Sequence, residues 1–151
     1  MKNYMLILFL IAAYACGNAN NNESHEQHNA AIPKTASDSL YKSVMEGHDT
    51  GMGKIGELIR LKELVKQQRD SINNLNGKAK ESVAKFDAAY NDLVSADELM
   101  NKWMQDFDPD KAGSTEVEKL DFFRKEKEKV DTVNVRISNS IEKAKEIHLR
   151  L

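Results

Sequence analysis

From Ser37 onward, apolar and small residues recur at steps of three and four rather than two. In the first stretch, Leu40, Val44, Gly47, Gly51, Leu58, Leu61, Val65 and Ile72 form one row. Tyr41, Met45, His48, Met52, Ile55 and Ile59 form a second row beside it. Together the rows predict a helix with a wide buried face. Ser37 or Asp38 is placed to cap its start. Asn73-Asn74-Leu75-Asn76-Gly77 reads as its stop and turn.

A second helix is expected over about 78–107, with core positions Val83, Phe86, Tyr90, Leu93, Asp97, Met100, Met104 and Phe107. Pro109 ends it, because proline disfavours helix in the residue before it. Thr115-x-x-Glu118 is a capping box for a third helix that runs to the C-terminus. Its core row is Leu120, Phe123, Val130, Asn134, Ile137, Ile141, Ala144 and Leu151, and Lys127, Asn134 and His148 share one spacing. A single buried Asn commonly fixes register. No run alternates with period two, so the fold class is all-α. The expected architecture is an elongated antiparallel three-helix bundle, coiled-coil-like, over 37–151.

Ahead of the bundle the pattern changes. Residues 1–15 carry Lys2 and then the apolar run Met5–Ala13, too short to span a bilayer and shaped like a signal peptide. Ala13-Tyr14-Ala15 ends in small residues, and Cys16 is the only cysteine. The arrangement resembles a bacterial lipoprotein signal, in which Cys16 is lipidated and becomes the mature N-terminus. It departs from the usual motif in having Ala13 where Leu is preferred and Tyr14 where a small residue is preferred. Ordinary secretory cleavage at the same bond is the rival reading. Acyl chains on Cys16 would hold the chain to a membrane at about 0.8 kcal/mol per buried CH₂. Residues 16–36, rich in Asn and closed by Pro33, read as a flexible linker. His25 and His28 lie in it beside Glu23 and Glu26, either as solvated filler or as a weak metal-collecting arm.

Of 151 residues, 30% are charged and 7% aromatic, with only two prolines, a composition suited to long amphipathic helices. The net charge of -2 offers no basic field for nucleic acid. Gly51-Met52-Gly53-Lys54-Ile55-Gly56 matches the dinucleotide-binding G-x-G-x-x-G pattern. It lacks the preceding strand that the motif requires. The charged run Lys125–Lys129 reads as a solvated helix surface. No nucleophile–base set can be placed, so the chain is read as a non-enzyme.

Gly47, Gly51, Gly53 and Gly56 are four of seven glycines, set within ten residues. In a helix interior they cost roughly 3–4 kcal/mol together relative to Ala. They either admit a close neighbour or mark a kink. The same stretch holds Met45, His48 and Met52. In an antiparallel hairpin turning between Leu75 and Asn76, residue i lies level with 151 − i. His48 is then level with Trp103, Met52 with Leu99, and Met45 with Asp106. Met45, His48 and Met52 therefore share a layer with Met100, Trp103 and Met104. One imidazole and four thioethers are a soft donor set of the kind that selects Cu(I) or Ag(I). Trp103 is expected as a cation–π neighbour, worth about 0.5–2 kcal/mol. Periplasmic copper and silver metallochaperones are similar in ligand type only, on a β-barrel fold. The competing readings are plain core packing, for which Met is well suited, and a haem held by His48 and one Met.

The run Tyr41–Leu64, with Met100–Phe107 and Lys125–Ile141, resembles a group of small helical bacterial envelope lipoproteins, some labelled "viral A-type inclusion protein". That resemblance implies an envelope lipoprotein with no established activity. With no Asp after Cys16, the chain resembles lipoproteins sorted to the periplasm-facing side of the outer membrane; the inner membrane and the cell surface stay open. Two functions are expected to compete. One is a lipid-anchored helical scaffold or adaptor with an envelope protein partner. The other is a periplasmic Cu(I)/Ag(I) binder using the Met/His/Trp layer.

Overall fold

The computed structural model describes residues 34–74 and 80–148. The expected signal peptide with Cys16, the expected linker up to Pro33 with His25 and His28, the expected Asn76-Gly77 turn, the His148 side chain and Leu151 lie outside the described residues. Helix α1 spans Ala36–Asn73, α2 Lys80–Asp106 and α3 Glu116–His148, with a 3₁₀ turn at Pro109–Ala112 between α2 and α3. At 1.5 Å per residue they are about 57, 40 and 50 Å long. Among the described residues there is no strand, and no helix is long and apolar enough to cross a membrane.

Cross-helix contacts set the directions. Between α1 and α2, His48 meets Trp103, Lys62 pairs with Asp97 at 3.1 Å, and Arg69 pairs with Asp87 at 3.4 Å, so the two run antiparallel. Between α1 and α3, Ser37 bonds Glu116, Lys54 Nζ donates to Ser138 at 2.8 Å, and Lys145 pairs with Glu57 at 2.7 Å, so these run parallel. Trp103–Glu126 and Asp92–Lys143 make α2 and α3 antiparallel. Every pair of helices packs together, and the chain folds as an all-α three-helix bundle.

The core follows the 3–4 spacing on each helix. It comprises Val44, Leu58, Leu61 and Val65 from α1; Phe86, Ala89, Leu93, Ala96, Met100 and Trp103 from α2; and Phe123, Val130, Val133, Ile137, Ile141 and Ala144 from α3. Here the expectations need correction. Only the first row of α1 is deeply buried. In the second row Tyr41, Met52 and Ile59 are exposed, and Met45, His48 and Ile55 are half-buried. On α2, Met104 lies at the rim and Trp103 takes the core position. On α3, Glu126 and not Lys127 occupies the buried row. Asp97, the acid in the α2 row, is half-buried and paired with Lys62.

The helix ends differ in the same instructive way. Thr35, not Ser37, caps α1, and its box partner is Asp38. Ser37 is instead buried. Its hydroxyl and backbone N–H both donate to the Glu116 carboxylate, at 2.7 and 2.9 Å, tying the start of α1 to the start of α3. Those two bonds, the hydroxyl's first, hold the Glu116 carboxyl below the usual glutamate range. The expected Thr115 box is present: Thr115 N–H donates to Glu118 Oε2 at 2.9 Å, and Glu118 N–H to Thr115 Oγ1 at 3.3 Å. Gly113 precedes it at φ +86°, a conformation that favours glycine.

No break occurs at the glycines of α1, which is one continuous helix. A Cβ on Gly47 would stand 2.8 Å from Val130 Cγ1 of α3. A Cβ on Gly51 would overlap Met100 Cε of α2 and lie 2.5 Å from Asn134 Oδ1 of α3. At Gly53 and Gly56 a Cβ would meet nothing within 4 Å. Two of the four therefore admit close neighbours and two do not. Asn134 uses the opening: its Nδ2 donates to the Gly47 carbonyl at 2.7 Å, while its buried Oδ1 has no hydrogen-bond partner. A donor aimed at one helix carbonyl locks α1 against α3 in a single register.

Candidate functional site

The Met/His/Trp layer lies where α1 and α2 meet, toward the N-terminal end of α1. His48 is half-buried on the second row of α1, one to two turns beyond Tyr41. Across the seam, Trp103 is buried and Met104 is at the surface. The His48 and Trp103 ring centroids are 5.8 Å apart, and His48 Nε2 is 3.3 Å from Met104 Sδ. These three side chains are brought together as the residue count across the turn predicts.

The other predicted ligands are placed less closely. Met100 is fully buried, and its methyl group occupies the notch left by Gly51, where it packs. Met45 is half-buried and Met52 is 39% exposed, one turn before and one turn after His48 on the same flank of α1. Leu99, level with Met52 by count, lines a groove of about 100 Å³ between α2 and α3 with Asp92, Arg136 and Lys143. Sharing a level therefore does not mean sharing a seam.

The tautomer of His48 follows from its Asp49 contact. Nδ1 lies 3.0 Å from Asp49 Oδ1. An ionised carboxylate only accepts, so Nδ1 carries the hydrogen. In the neutral imidazole, Nε2 is then the lone-pair nitrogen, and it faces the Met104 sulfur, which has no proton to offer. A ring N–H bonded to a carboxylate is also found behind metal-ligating histidines, where it orients the other nitrogen. Among the described residues no three His, Cys, Asp or Glu side chains gather as a metal set, so the donors at issue are this imidazole and the thioethers.

Geometry also limits the coordination. With metal–nitrogen and metal–sulfur bonds of ~2.0 and ~2.3 Å, a 3.3 Å N···S separation corresponds to an angle of about 100° at the metal. A linear two-coordinate ion would need the pair to open to about 4.3 Å. As it stands, the pair is suited to an ion with a third or fourth donor. Met45 and Met52 are the thioethers nearest in sequence on the His48 face, and the indole is beside it.

An aromatic wall backs the layer. Trp103 stacks on Phe107 at 4.9 Å, Phe107 on Tyr41 at 6.4 Å, and Tyr41 meets Phe123 edge-on at 5.2 Å. The Trp103 indole N–H donates to Glu126 Oε2 at 3.1 Å, and Glu126 Oε1 pairs with Lys129 Nζ at 2.7 Å. Sequence reasoning missed Glu126. Its signal was the seven-residue row Phe123, Val130, Ile137, Ala144, whose companion row at plus three is Glu126, Val133, Ser140. No family model, curated protein or solved structure matches this chain.

Proposed function

We propose that this chain is a non-enzymatic envelope protein, anchored through a lipid on Cys16, that binds a soft monovalent cation, Cu(I) or Ag(I). The observation that carries this reading is the His48 Nε2–Met104 Sδ approach of 3.3 Å, with Nδ1 engaged by Asp49. Two soft donors face each other at a half-open seam, and a cation between them would satisfy both lone pairs. Met52 or Met45 would complete the donor set, and Trp103 would lie against the ion. A haem held by His48 and a Met is disfavoured, because the aromatic wall and Met104 fill the seam beside the imidazole.

The test is an anaerobic titration of the chain carrying Cys16→Ser, which removes its one thiol, with Cu(I) and with Ag(I). Quenching of Trp103 fluorescence is expected, with micromolar or tighter affinity. His48→Ala and Met104→Leu should abolish it, and Met52→Leu should weaken it. Affinity weaker than micromolar, or equal affinity in His48→Ala, would overturn the reading.

A scaffold or adaptor role is the second reading, and a different observation favours it. Tyr41, Met52, Ile59 and Met104 leave apolar surface on the α1 flank and its α2 rim, and exposed apolar surface of this kind is used in docking. Indifference to both metals, together with saturable binding of one envelope protein that Ile59→Glu abolishes, would decide for it.

A further inference from the structure

Glu126 is the only charged residue buried among the described residues. It stands on the core row of α3, where the spacing gives the position to an apolar side chain. Its carboxylate accepts the Trp103 indole N–H and pairs with Lys129. The two partners are placed differently. The Glu126 side chain is 8% exposed and that of Lys129 is 61% exposed, so solvent screens the ammonium while the carboxylate faces the core.

An indole N–H needs only an acceptor, and a backbone carbonyl or an amide oxygen would serve. A carboxylate does more. It makes a charge-assisted bond that holds the ring in one orientation. Its negative charge also lies at the electropositive N–H edge of the indole, which shifts electron density toward the ring face and deepens the quadrupole that attracts cations. The ring so polarised is the one whose centroid lies 5.8 Å from that of His48 and whose neighbour in the chain is Met104.

We propose that Glu126 is a positioning residue of the soft-cation site: acting through Trp103, it orients the indole beside His48 and Met104 and makes its π face a stronger partner for Cu(I) or Ag(I). The proposal rests on the metal reading above. Lys129 opposes the effect from the other side of the carboxylate, by neutralising part of its charge. The two residues of one ion pair should therefore act on metal affinity in opposite directions, which a purely structural ion pair would not do.

The experiment is calorimetric titration with Ag(I) of the full chain carrying Cys16→Ser, alone and with Glu126→Gln, Lys129→Met, Trp103→Phe, and Trp103→Phe with Glu126→Gln. Gln retains an oxygen to accept the indole N–H while losing the charge. Glu126→Gln should bind about three- to tenfold more weakly. Lys129→Met should bind more tightly than the parent. In the Trp103→Phe background, Glu126→Gln should have no further effect. Unchanged affinity in Glu126→Gln, unchanged or weakened affinity in Lys129→Met, or an equal loss with Phe at position 103 would each overturn the proposal while the metal reading stands. Absence of Ag(I) binding by the parent would overturn the metal reading and this proposal with it. Should Glu126→Gln fail to fold, the Lys129→Met arm decides alone.

Discussion

Four glycines within ten residues of one helix look alike in the sequence, yet their surroundings predict opposite consequences for the same substitution. Gly53 and Gly56 face open space, so a methyl group there meets nothing within 4 Å. Each Gly→Ala change should then yield the bare helix-propensity gain of about 0.8–1 kcal/mol, seen as a rise of about 3–6 °C in thermal midpoint for a bundle of this size. Gly51 is the reverse case. A Cβ there overlaps Met100 Cε and lies 2.5 Å from Asn134 Oδ1. Met100 is fully buried and has no free volume to retreat into. Asn134 is held by its 2.7 Å bond to the Gly47 carbonyl.

The magnitudes decide the sign. Overpacking costs about 1–3 kcal/mol, and loss or distortion of the Asn134 bond about 0.5–1.5 kcal/mol. Against these stands the same propensity gain of about 1 kcal/mol. Gly51→Ala should therefore destabilise the bundle by about 2 kcal/mol. Gly47→Ala should cost about 1 kcal/mol, because its one close contact is Val130, which is branched and stiff. Urea denaturation followed by far-ultraviolet circular dichroism, extrapolated at a common slope, measures all four. Stabilisation at positions 47 and 51 comparable to that at 53 and 56 would show that α2 and α3 do not approach α1 this closely. Destabilisation at 53 and 56 would show that the helix uses those glycines for something other than contact.

Other consequences follow from single side chains. Asn134→Asp replaces the donor to the Gly47 carbonyl with an acceptor and buries a charge, and should cost about 3 kcal/mol or more at neutral pH, with partial recovery in acid as the carboxyl protonates; equal urea midpoints at pH 7 would refute it. Glu116 is held below its ordinary range by Ser37, so its contribution is complete above about pH 4.5 and is lost as pH falls below that. The stability difference between the parent and Glu116→Gln should accordingly shrink from pH 6 to pH 3, and a constant difference would count against the Ser37 latch. Trp103→Phe removes the indole N–H from the buried Glu126 carboxylate and should cost about 2–3 kcal/mol, whereas Glu126→Gln should cost less because Gln still accepts the bond. Measured unfolding free energies that reverse this order would refute the assignment of that bond.

Much of this architecture was legible because a bundle writes its core as a spacing. The three helices, the Pro109 stop and the Thr115 box all follow from local rules. So does the level of His48 with Trp103, since counting back from a turn needs no knowledge of packing. What stayed hidden was rotation about each helix axis. Both rows of α1 are apolar, and the choice between them was made by α3, which packs into Gly47 and Gly51. On α2, the step Met100 to Met104 and the step Met100 to Trp103 are both helical, and the deep row includes Ala89 and Ala96, whose small side chains signal weakly. Glu126 was hidden by its charge. A buried carboxylate is unexpected until its partners are known, and its indole partner comes from another helix.

The candidate site depends on that hidden rotation. The contact between His48 and Met104 exists only if α1 and α2 keep one axial and rotational register, since a slip of one residue shifts a side chain by about 1.5 Å and turns it by about 100°. Two features hold the register on the side of the site nearer the turn between α1 and α2. Lys62 pairs with Asp97 farther along, and the Met100 methyl fills the Gly51 notch about a turn from both His48 and Met104. Met100, expected as a ligand, is seen packed in this notch, and a positional role makes its own prediction. Met100→Leu should then weaken Ag(I) binding although it removes no coordinating sulfur, because the shorter branched chain leaves the notch unfilled and loosens the seam. Gly51→Ala, which keeps the Met100 sulfur but closes the notch, should weaken binding as well. If Met100 acts only as a direct ligand, Met100→Leu should weaken binding while Gly51→Ala binds as the parent does. The same titration therefore separates a residue that holds the metal from one that holds the helices.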